Sequence, residues 1–341
     1  MLRTPSRRSI LLGGAGLAAA AGLTACTSTS SSTKPQSDQS TSANINTAFP
    51  ATVAHKYGST TVRTAPTRIA SDGYTDHDAV LALGLVPVGL RQWIPEWKQG
   101  VGPWAIAALR GEQPKIWADT TVPYEKIAAL APDLVLDVNS GLTGADYAKL
   151  SRIAPTVAQA KGYVDYGTPW DVGSLMIAEA LGRKAEMQKL IDAVQAKFAA
   201  ARAAHPELAG KTANIMTYSG PGTYNAYAGE DTRGRFVTSL GMHVPAAVDK
   251  AAGSQFYAEI SPEKADLLNA DVLILGSYGA GTKAAFEKDK VMQSLDVVKR
   301  GNCLFIEDDD VVMAMSSSTV LSLPFAIDKA VPLIAGAVRK Q

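Results

Sequence analysis

The chain has 341 residues, of which 46% are hydrophobic and 19% are charged. Its 33 lysines and arginines almost balance its 32 aspartates and glutamates, so the formal net charge is only +1. A nucleic-acid-binding surface needs basic residues clustered with aromatic ones, and here the basic residues are scattered, which argues against that function. The length suffices for two lobes of ordinary domain size, each with an apolar core.

Residues 1–26 have the features of an export signal. The basic pair Arg7-Arg8 precedes an apolar, small-residue stretch over 10–21, which is shorter than the roughly 20 residues that cross a bilayer as a helix. The following Leu23-Thr24-Ala25-Cys26 resembles a bacterial lipobox, and Ser6 to Leu11 resembles a twin-arginine signal. These resemblances imply that Cys26 carries a lipid anchor at the outer face of the cytoplasmic membrane. An ordinary signal peptide with an incidental cysteine, and the general export route, are the alternatives.

Residues 27–48 are dominated by Ser, Thr, Gln and Asn. Such a segment buries too little apolar surface to fold, so we predict a flexible tether between membrane and domain. With Cys26 acylated, Cys303 is the second of two cysteines, and no intramolecular disulfide can form. We predict that Cys303 is a buried strand residue rather than a reactive thiol.

Strand and helix patterns alternate after an edge hairpin that we predict over 52–63. The alternation predicts a parallel sheet covered by helices on both faces. The predicted elements are strands at 68–71, 86–90 and 133–137 and helices at 76–84 and 124–131. We assign the N-terminal α/β lobe to residues 49–168.

Residues 169–205 form one long helical pattern in which Gly182 favours a break. Strand and helix patterns then resume, with strands predicted at 212–218, 271–275 and 303–306. The C-terminal α/β lobe is assigned to residues 206–341. The predicted fold class is therefore α/β, with two Rossmann-like lobes joined by one long connecting α-helix and a ligand cleft between the lobes.

Seven segments together carry a family resemblance. They are Pro66 to Ala70, Ala82 to Gly89, Tyr124 to Leu136, Leu150 to Val157, Ile260 to Glu263, Ala270 to Leu273 and Leu323 to Asp328. In order and spacing they resemble the siderophore, haem and vitamin B12 class of periplasmic-binding-protein-like ABC components. The resemblance implies a monomeric, extracytoplasmic binding protein that is not an enzyme, needs no cofactor, and delivers a ferric siderophore to an ABC permease and its ATPase. It also implies that the lobes move little, because a helix joins them.

The same resemblance singles out Glu125 and Glu263, one glutamate in each lobe. Each opens a predicted helix shortly before a buried strand, and in the family the matching glutamates dock onto arginines of the permease. A carboxylate in a first helical turn also complements the helix dipole, which is worth about 0.3 to 1 kcal/mol. The two explanations are compatible, because an exposed first-turn carboxylate is free to reach a partner.

The ligand cleft is expected where loops leave the carboxyl ends of strands in both lobes. Four of the five tryptophans fall between Trp93 and Trp117, which indicates either an aromatic wall for a bulky ligand or a satellite core beneath a long loop. Asn139 or Ser140 in the first lobe, and Phe256 in the second, are further candidates for the cleft lining. The main candidates are Tyr74, His77, Arg91, Trp93, Trp97, Trp117, Trp170, Tyr218, Tyr224, Arg233, Arg235, Tyr257, Tyr278 and Met313.

The charge of these candidates bears on the ligand. A triply anionic catecholate complex calls for several converging cations, whereas the candidates include mainly Arg91, Arg233 and Arg235. A nearly neutral ferric hydroxamate or a mixed siderophore fits better, and its iron needs no protein ligand. Haem, with an axial ligand from the candidates His77, Tyr224 or Met313, and cobalamin are the alternatives. A cell-surface interaction or signalling protein on the same fold is an alternative of another class.

Enzyme and metal-site patterns are weak in this sequence. The four histidines are widely separated, so direct binding of a transition metal is disfavoured. The acidic run Glu307 to Asp310 lacks the alternating spacing of a calcium loop. Ser316-Ser317-Ser318 has no nucleophile-elbow glycines, and there is no phosphate-binding P-loop pattern.

Overall fold

The computed structural model describes residues 48–222, 224–276 and 281–338. The predicted export signal with Cys26, the tether up to residue 47, and Tyr278 lie outside these residues. In the part of the chain that is described, no helix has both the length and the apolar character that a membrane span requires.

The first lobe is built around a five-stranded sheet in which every neighbouring pair of strands is parallel. An antiparallel hairpin of β1 (Ala51–His55) and β2 (Gly58–Val62) precedes it, as predicted. The strands run in the order β5-β4-β3-β6-β7. They are β3 (Ile69–Ser71), β4 (Gly89–Arg91), β5 (Lys115–Trp117), β6 (Leu134–Asp137) and β7 (Thr156–Ala158). The accompanying helices are α1 (Asp76–Ala82), α2 (Tyr124–Ala129) and α3 (Gly144–Leu150), with a 3-10 turn at Ile106–Leu109.

The connection between the lobes contains two helices, α4 (Trp170–Ala180) and α5 (Lys184–Ala204), which corrects the single helix expected over 169–205. Gly182 separates them with a φ of 66°, a left-handed conformation in which glycine commonly ends a helix. Helix α4 packs on the first lobe, against α1 and β1. Helix α5 alone passes from one lobe to the other.

The second lobe contains a five-stranded mixed sheet in the order β10-β9-β8-β11-β12. Strands β8, β11 and β12 are parallel, whereas β9 is antiparallel to both its neighbours. This hairpin of β8 and β9 was not predicted from the sequence. Gly220 and Gly222, both with positive φ, lie in the turn where the chain reverses. The strands are β8 (Ala213–Tyr218), β9 (Tyr224–Tyr227), β10 (Tyr257–Ile260), β11 (Val272–Gly276) and β12 (Cys303–Ile306).

Seven helices pack around this second sheet in the described residues, and the α/β fold class with two sheet-containing lobes is confirmed. Cys303 begins β12, as predicted, but it is half-buried rather than fully buried, and desolvation raises the pKa of its thiol to about 12. Two 3-10 turns, Pro206–Leu208 and Pro262–Leu268, precede β8 and β11. The helices are α6 (Thr232–Ser239), α7 (Ala246–Ala252), α8 (Thr282–Lys288), α9 (Lys290–Ser294), α10 (Asp296–Lys299), α11 (Asp309–Ser317) and α12 (Ser322–Val338).

The loop between α11 and α12 reaches back from the second lobe to the first. The Thr319 hydroxyl donates to Asp78 Oδ2 at 2.6 Å, and the same oxygen accepts from Trp104 Nε1 at 2.8 Å. Val320 is buried in the core of the first lobe, and Phe325 lies 5.9 Å from Trp104 between ring centroids. The lobes are therefore held together at a second point besides α5.

Helix α6 carries residues of the cleft and depends on Gly234, because a Cβ there would lie 2.2 Å from the carbonyl oxygen of Ala228. We predict that Gly234→Ala lowers the free energy of unfolding by about 1 to 3 kcal/mol through overpacking against fixed backbone. Gly336 in α12 is the control, since a Cβ there meets nothing within 4 Å. Gly336→Ala should leave stability unchanged or raise it by up to about 1 kcal/mol. Urea denaturation measures both, and an equal effect of the two substitutions would contradict the prediction.

Candidate functional site

A cavity of about 280 Å³ opens between the two lobes. We call it the interlobe cavity. Aromatic rings from both lobes face it, together with one arginine. The lining residues are Tyr74, Trp93, Asn139, Tyr166, Asp231, Thr232, Arg233, Phe256 and Ser316.

The two lobes present different edges of their sheets to this cavity. In the first lobe, Tyr74, Trp93 and Asn139 follow the carboxyl ends of β3, β4 and β6, as expected for a parallel sheet. In the second lobe, Asp231, Thr232 and Arg233 follow the end of β9, Phe256 precedes the start of β10, and Ser316 lies near the end of α11. Strand β9 starts opposite the carboxyl end of β8 and ends near the amino end of β8. The second lobe therefore faces the cavity with the edge at which β8 begins, whereas the first lobe faces it with the edge at which its strands end.

A row of edge-to-face ring contacts crosses the interlobe cavity. Tyr74 lies 5.9 Å from Trp93 and 5.9 Å from Tyr166, and Tyr166 lies 5.7 Å from Phe256, all between centroids. These separations are typical of favourable aromatic pairs. Tyr166 adopts a φ of 63°, which is uncommon for a residue other than glycine and marks a locally constrained loop. The row gives a preformed aromatic surface that links the lobes.

Among the described residues that line the interlobe cavity, Arg233 is the one positively charged side chain. Its Nε and Nη2 donate to the two carboxylate oxygens of Asp231 at 2.7 and 2.8 Å. Its guanidinium carbon lies 3.4 Å from the centroid of the Tyr227 ring. Because the charge is paired and stacked, the wall is nearly neutral and its arginine is held in one orientation.

A second cavity, of about 400 Å³, lies in the first lobe and shares Tyr74 and Tyr166 with the interlobe cavity. We call it the first-lobe chamber. Its lining is more polar and includes hydroxyl, carboxyl and basic groups. Among its residues are Asp72, Arg91, Tyr124, Asp137, Ser140, Asp146 and Lys149.

Arg91 is buried at the wall of this chamber. Its Nε donates to the backbone oxygen of Asp72 at 2.6 Å, and its Nη2 donates to Asp72 Oδ1 at 2.8 Å. Its Nη1 donates to the backbone oxygen of Asp119. Trp117 Nε1 donates to the same oxygen, Asp72 Oδ1, at 2.7 Å, so two side chains hold this carboxylate in place. Trp117 thus supports the chamber wall without lining it.

Two buried carboxyl groups near the chamber have pKa values above the usual range. Burial raises the pKa of Asp137 well above its ordinary value, and the nearby Asp72 and Asp76 add to this effect. Burial likewise raises the pKa of Asp76 to about 6, although the backbone N–H groups of Val138 and Asn139 donate to it. Both carboxyl groups therefore bind a proton more readily than an exposed carboxyl group does.

Several first-lobe candidates lie away from both cavities. His77 was expected to face the ligand, but it is 3% exposed inside the lobe, and burial lowers the pKa of its imidazole. Trp97 packs edge-on against Trp104 at 5.2 Å. Trp170 begins α4 and lines a separate small cavity of about 30 Å³. The loop that carries these tryptophans is therefore divided, with Trp93 at the cleft, Trp117 buried, and Trp97 and Trp104 half-buried against each other.

The second-lobe candidates require more correction, because the predicted carboxyl edge of the sheet is not the one at the cleft. Tyr218 and Tyr224 are buried at that far edge, and both hydroxyls donate to Asp289 Oδ2 at 3.0 Å. Met313 is buried within α11. None of the proposed haem ligands His77, Tyr224 and Met313 lines either cavity.

Two other candidates lie beside the cleft without lining it. Tyr257 packs against Phe256 at 4.9 Å between centroids, and Phe256 is the ring that lines the interlobe cavity. Arg235 donates to the backbone oxygens of Glu230 and Gly167, both at 3.1 Å, and so ties α6 to the loop before α4. Its role in the described residues is positional.

Sequence reasoning missed Tyr166 and the acidic part of the first-lobe chamber. Tyr166 lies in the loop between β7 and α4, where the chain begins its crossing, and an aromatic residue beside Gly167 in that loop was the available signal. Asp72 and Asp137 stand at the carboxyl ends of the neighbouring strands β3 and β6, and that placement was the signal for the chamber. In the described residues, no group of three His, Cys, Asp or Glu side chains could hold a metal ion.

The buried tyrosines give a test of this corrected assignment. Tyr224→Phe removes a hydrogen bond to the buried Asp289 carboxylate, so we predict a loss of about 1.5 to 3 kcal/mol in the free energy of unfolding. Tyr257→Phe is the matched control, because its hydroxyl has no hydrogen bond in the described residues. Denaturant unfolding measures both. A neutral Tyr224→Phe substitution would argue that the hydroxyl faces a ligand instead.

Residues 69–308 match the profile of the family described as periplasmic binding protein. The crystal structure of a periplasmic solute binding protein from Mycobacterium smegmatis is 34% identical, with a TM-score of 0.74 over 84% of this chain and 98% of its own. PiaA of Streptococcus pneumoniae, crystallised in complex with ferrichrome, is 28% identical, with a TM-score of 0.75 over 85% of this chain and 99% of its own. The Fe(3+) dicitrate-binding periplasmic protein FecB of Escherichia coli is 28% identical over 214 residues, which cover 61% of this chain and 67% of FecB. The family profile spans more than half of the sequence, and the chain belongs to the periplasmic binding protein family.

Proposed function

We propose that this chain is the substrate-binding component of an ABC importer and that it captures a ferric siderophore of low net charge, of hydroxamate or mixed type. The observation that carries the proposal is the row of rings from Trp93 to Phe256 beside one neutralised arginine. A ferric trihydroxamate is bulky, partly apolar and nearly neutral, so rings offer it contact area at small entropic cost. PiaA, crystallised with ferrichrome, is a relative that supports the same ligand class.

Charge argues against a catecholate complex. Three negative charges would need several converging cations, and the interlobe cavity offers Arg233, already paired with Asp231 at 2.7 Å. The iron is coordinatively saturated by the siderophore, so the binding protein needs neither a metal ligand nor a cofactor. Recognition then rests on stacking, hydroxyl groups and the fixed guanidinium of Arg233.

Delivery requires a surface that a permease can recognise, and we propose that Glu125 and Glu263 provide it. Both side chains are exposed in a first helical turn. Helix α2 leads from the edge strand β5 to β6, and the 3-10 turn with Glu263 leads from the edge strand β10 to β11. The two glutamates thus occupy equivalent places in the two lobes, and hydrogen bonding to Ser261 and the backbone lowers the pKa of Glu263 and keeps it charged.

The site of action follows from the sequence of the N-terminus. We propose that Cys26 carries a lipid anchor and that residues 27–48 tether the binding domain to the outer face of the cytoplasmic membrane. A tether lets the protein search for ligand near its permease, which raises the effective concentration of each for the other. Detection of a lipid-modified Cys26 by mass spectrometry of the membrane fraction would test this.

Intrinsic tryptophan fluorescence tests the ligand class. The domain lacking residues 1–26 would be titrated with a ferric trihydroxamate, a ferric catecholate, haemin and cobalamin, with inner-filter correction. We expect saturable quenching by the trihydroxamate with a submicromolar dissociation constant, about −8 kcal/mol or tighter. Binding of haemin or cobalamin alone would refute the siderophore proposal. Binding of none of these ligands would favour an interaction protein.

Arg233 and Arg235 form a matched pair for mutation, since they differ by two positions and only Arg233 lines the interlobe cavity. Arg233→Met keeps the aliphatic stem and removes the charged donors, so we predict an affinity loss of about 10- to 100-fold for the ferric trihydroxamate. Arg235→Met should change affinity little. Titration calorimetry measures both, and an equal loss in the two variants would contradict the role given to Arg233.

Charge reversal tests the docking surface. We predict that Glu125→Lys and Glu263→Lys each reduce uptake of the ⁵⁵Fe-labelled siderophore in cells, while the dissociation constant of the purified protein for ligand stays unchanged. Opposite charges steer encounter and fix register at such surfaces, so reversal replaces attraction by repulsion. Glu112→Lys and Glu287→Lys, at exposed positions of the first and second lobes, are the controls. Unaltered uptake in both test variants would refute the docking role.

A further inference from the structure

We propose that the first-lobe chamber is a second ligand subsite, and that it takes a cationic, hydrogen-bond-donating arm such as a primary ammonium group extending from the iron complex in the interlobe cavity. This inference rests on the proposed function, since it concerns a second part of the same ligand. The aromatic row alone would not distinguish a ligand with such an arm from one without it.

The two cavities are placed to hold one extended ligand. The chamber, at about 400 Å³, exceeds the interlobe cavity of about 280 Å³, and Tyr74 and Tyr166 line both. A ligand that stacks on these two rings can therefore extend past them into the chamber. Side chains that bind the chamber's occupant come from the first lobe, so they need no closure of the lobes to assemble.

The chamber wall has a buried acceptor without a donor. Asp72 is 1% exposed, and its Oδ1 accepts from Arg91 and Trp117. Its Oδ2 has no hydrogen-bond partner in the described residues. A buried acceptor that is left unsatisfied costs about 1 to 3 kcal/mol, so a donor supplied by a ligand would be favourable there.

A second carboxyl group lies in the same wall without a cation of its own. Asp137 is 2% exposed, lines the chamber, and forms no ion pair in the described residues. Arg91 is already committed to Asp72, with which it forms an ion pair at 2.8 Å. An anionic arm would therefore meet the carboxyl groups of Asp72 and Asp137, whereas an ammonium group would be attracted to both.

The other charged groups of the chamber form a separate, balanced set. The Tyr124 hydroxyl and the Thr143 hydroxyl donate to Asp146. Lys149 lies 4.9 Å from the Tyr124 ring centroid. The hydrogen bonds from Thr143 and Tyr124, and to a smaller extent the charge of Lys149, lower the pKa of Asp146. These groups hold one another, so the free oxygen of Asp72 is the point at which a donor is missing, and Asp137 is the neighbouring carboxyl group without an ion pair.

Proton release would accompany binding of such an arm. In the free protein, burial raises the pKa of Asp137, with Asp72 and Asp76 acting in the same direction and Arg91 opposing them. Burial raises the pKa values of the Tyr124 and Tyr166 phenols, and the nearby Asp137 charge adds a smaller effect in the same direction. An arriving cation favours the ionised carboxylate, so Asp137 loses a proton, and below its raised pKa the affinity for a cationic ligand increases with pH.

The test uses two ferric trihydroxamates that differ at one atom group, one with a free terminal primary amine and one with that amine acetylated. We expect the wild-type protein to bind the ammonium form about 10-fold more tightly, as for one charge-assisted hydrogen bond. Asp137→Asn should reduce the ratio toward 1, because the Asp72 carboxylate, which is already paired with Arg91, then remains as the acidic partner of the ammonium group. Asp192→Asn, at an exposed position of α5, is the control and should keep the ratio of the wild type.

The wild-type protein alone gives a second readout that does not depend on the variant folding. Calorimetry in buffers of different ionisation enthalpy should detect proton release with the ammonium form and not with the acetylated form. Equal affinities of the wild type for the two compounds, or tighter binding of the acetylated one, would overturn the subsite. If the wild type binds neither compound, the proposed trihydroxamate ligand itself is refuted. If it binds both equally, the ligand class stands and only the subsite is refuted.

Discussion

Both lobes depend on one helix, α5, which buries one face in their two cores. Met187 and Ile191 near its start belong to the core of the first lobe, and Val194 and Phe198 belong to the core of the second. Burying such a side chain is worth about 1.5 to 3 kcal/mol, so a bend that exposed two of them would use a large share of a ligand-binding free energy of about −8 kcal/mol. The lobes are therefore joined by packing as well as by sequence, and large opening is unfavourable.

The restrained lobes explain why the cleft is preformed. The hydrogen bond from Thr319 to Asp78 closes a second connection, and the same carboxylate holds Trp104 of the tryptophan loop. Tyr166 bridges the lobes between Tyr74 and Phe256 in the row of rings. A cleft that is preformed in this way needs little movement of the lobes to contact a ligand.

The strand and helix patterns predicted the fold class because parallel, doubly covered strands are apolar without interruption. The same patterns located Tyr74 and Trp93, which follow predicted strands of the first lobe. They failed in the second lobe because β9 is a four-residue strand after a glycine-rich turn, and the loop after an antiparallel strand leaves the sheet at the opposite edge from the loops after its neighbours. Tyr218 and Tyr224 were consequently assigned to the cleft although they are buried with Asp289.

The break at Gly182 and the chamber residues illustrate two further limits. A helical pattern of apolar residues continues across a glycine, so periodicity alone does not separate α4 from α5. Strand β3 lies between β4 and β6 in the sheet. This order brings Asp72, which follows β3, to Arg91 of β4 and to Asp137 of β6. That order is a property of topology, and the sequence alone does not encode it in any local motif.

The central claim is that an intact ferric complex binds between the lobes without a protein ligand to the iron. Anomalous diffraction at the iron absorption edge, from crystals grown with a ferric trihydroxamate, tests this most directly. The account predicts one iron peak in the interlobe cavity, among Tyr74, Trp93, Arg233 and Phe256, with six siderophore oxygens around it and the lobes nearly unmoved. An iron peak outside the cleft, or iron coordinated by a protein side chain, would contradict it.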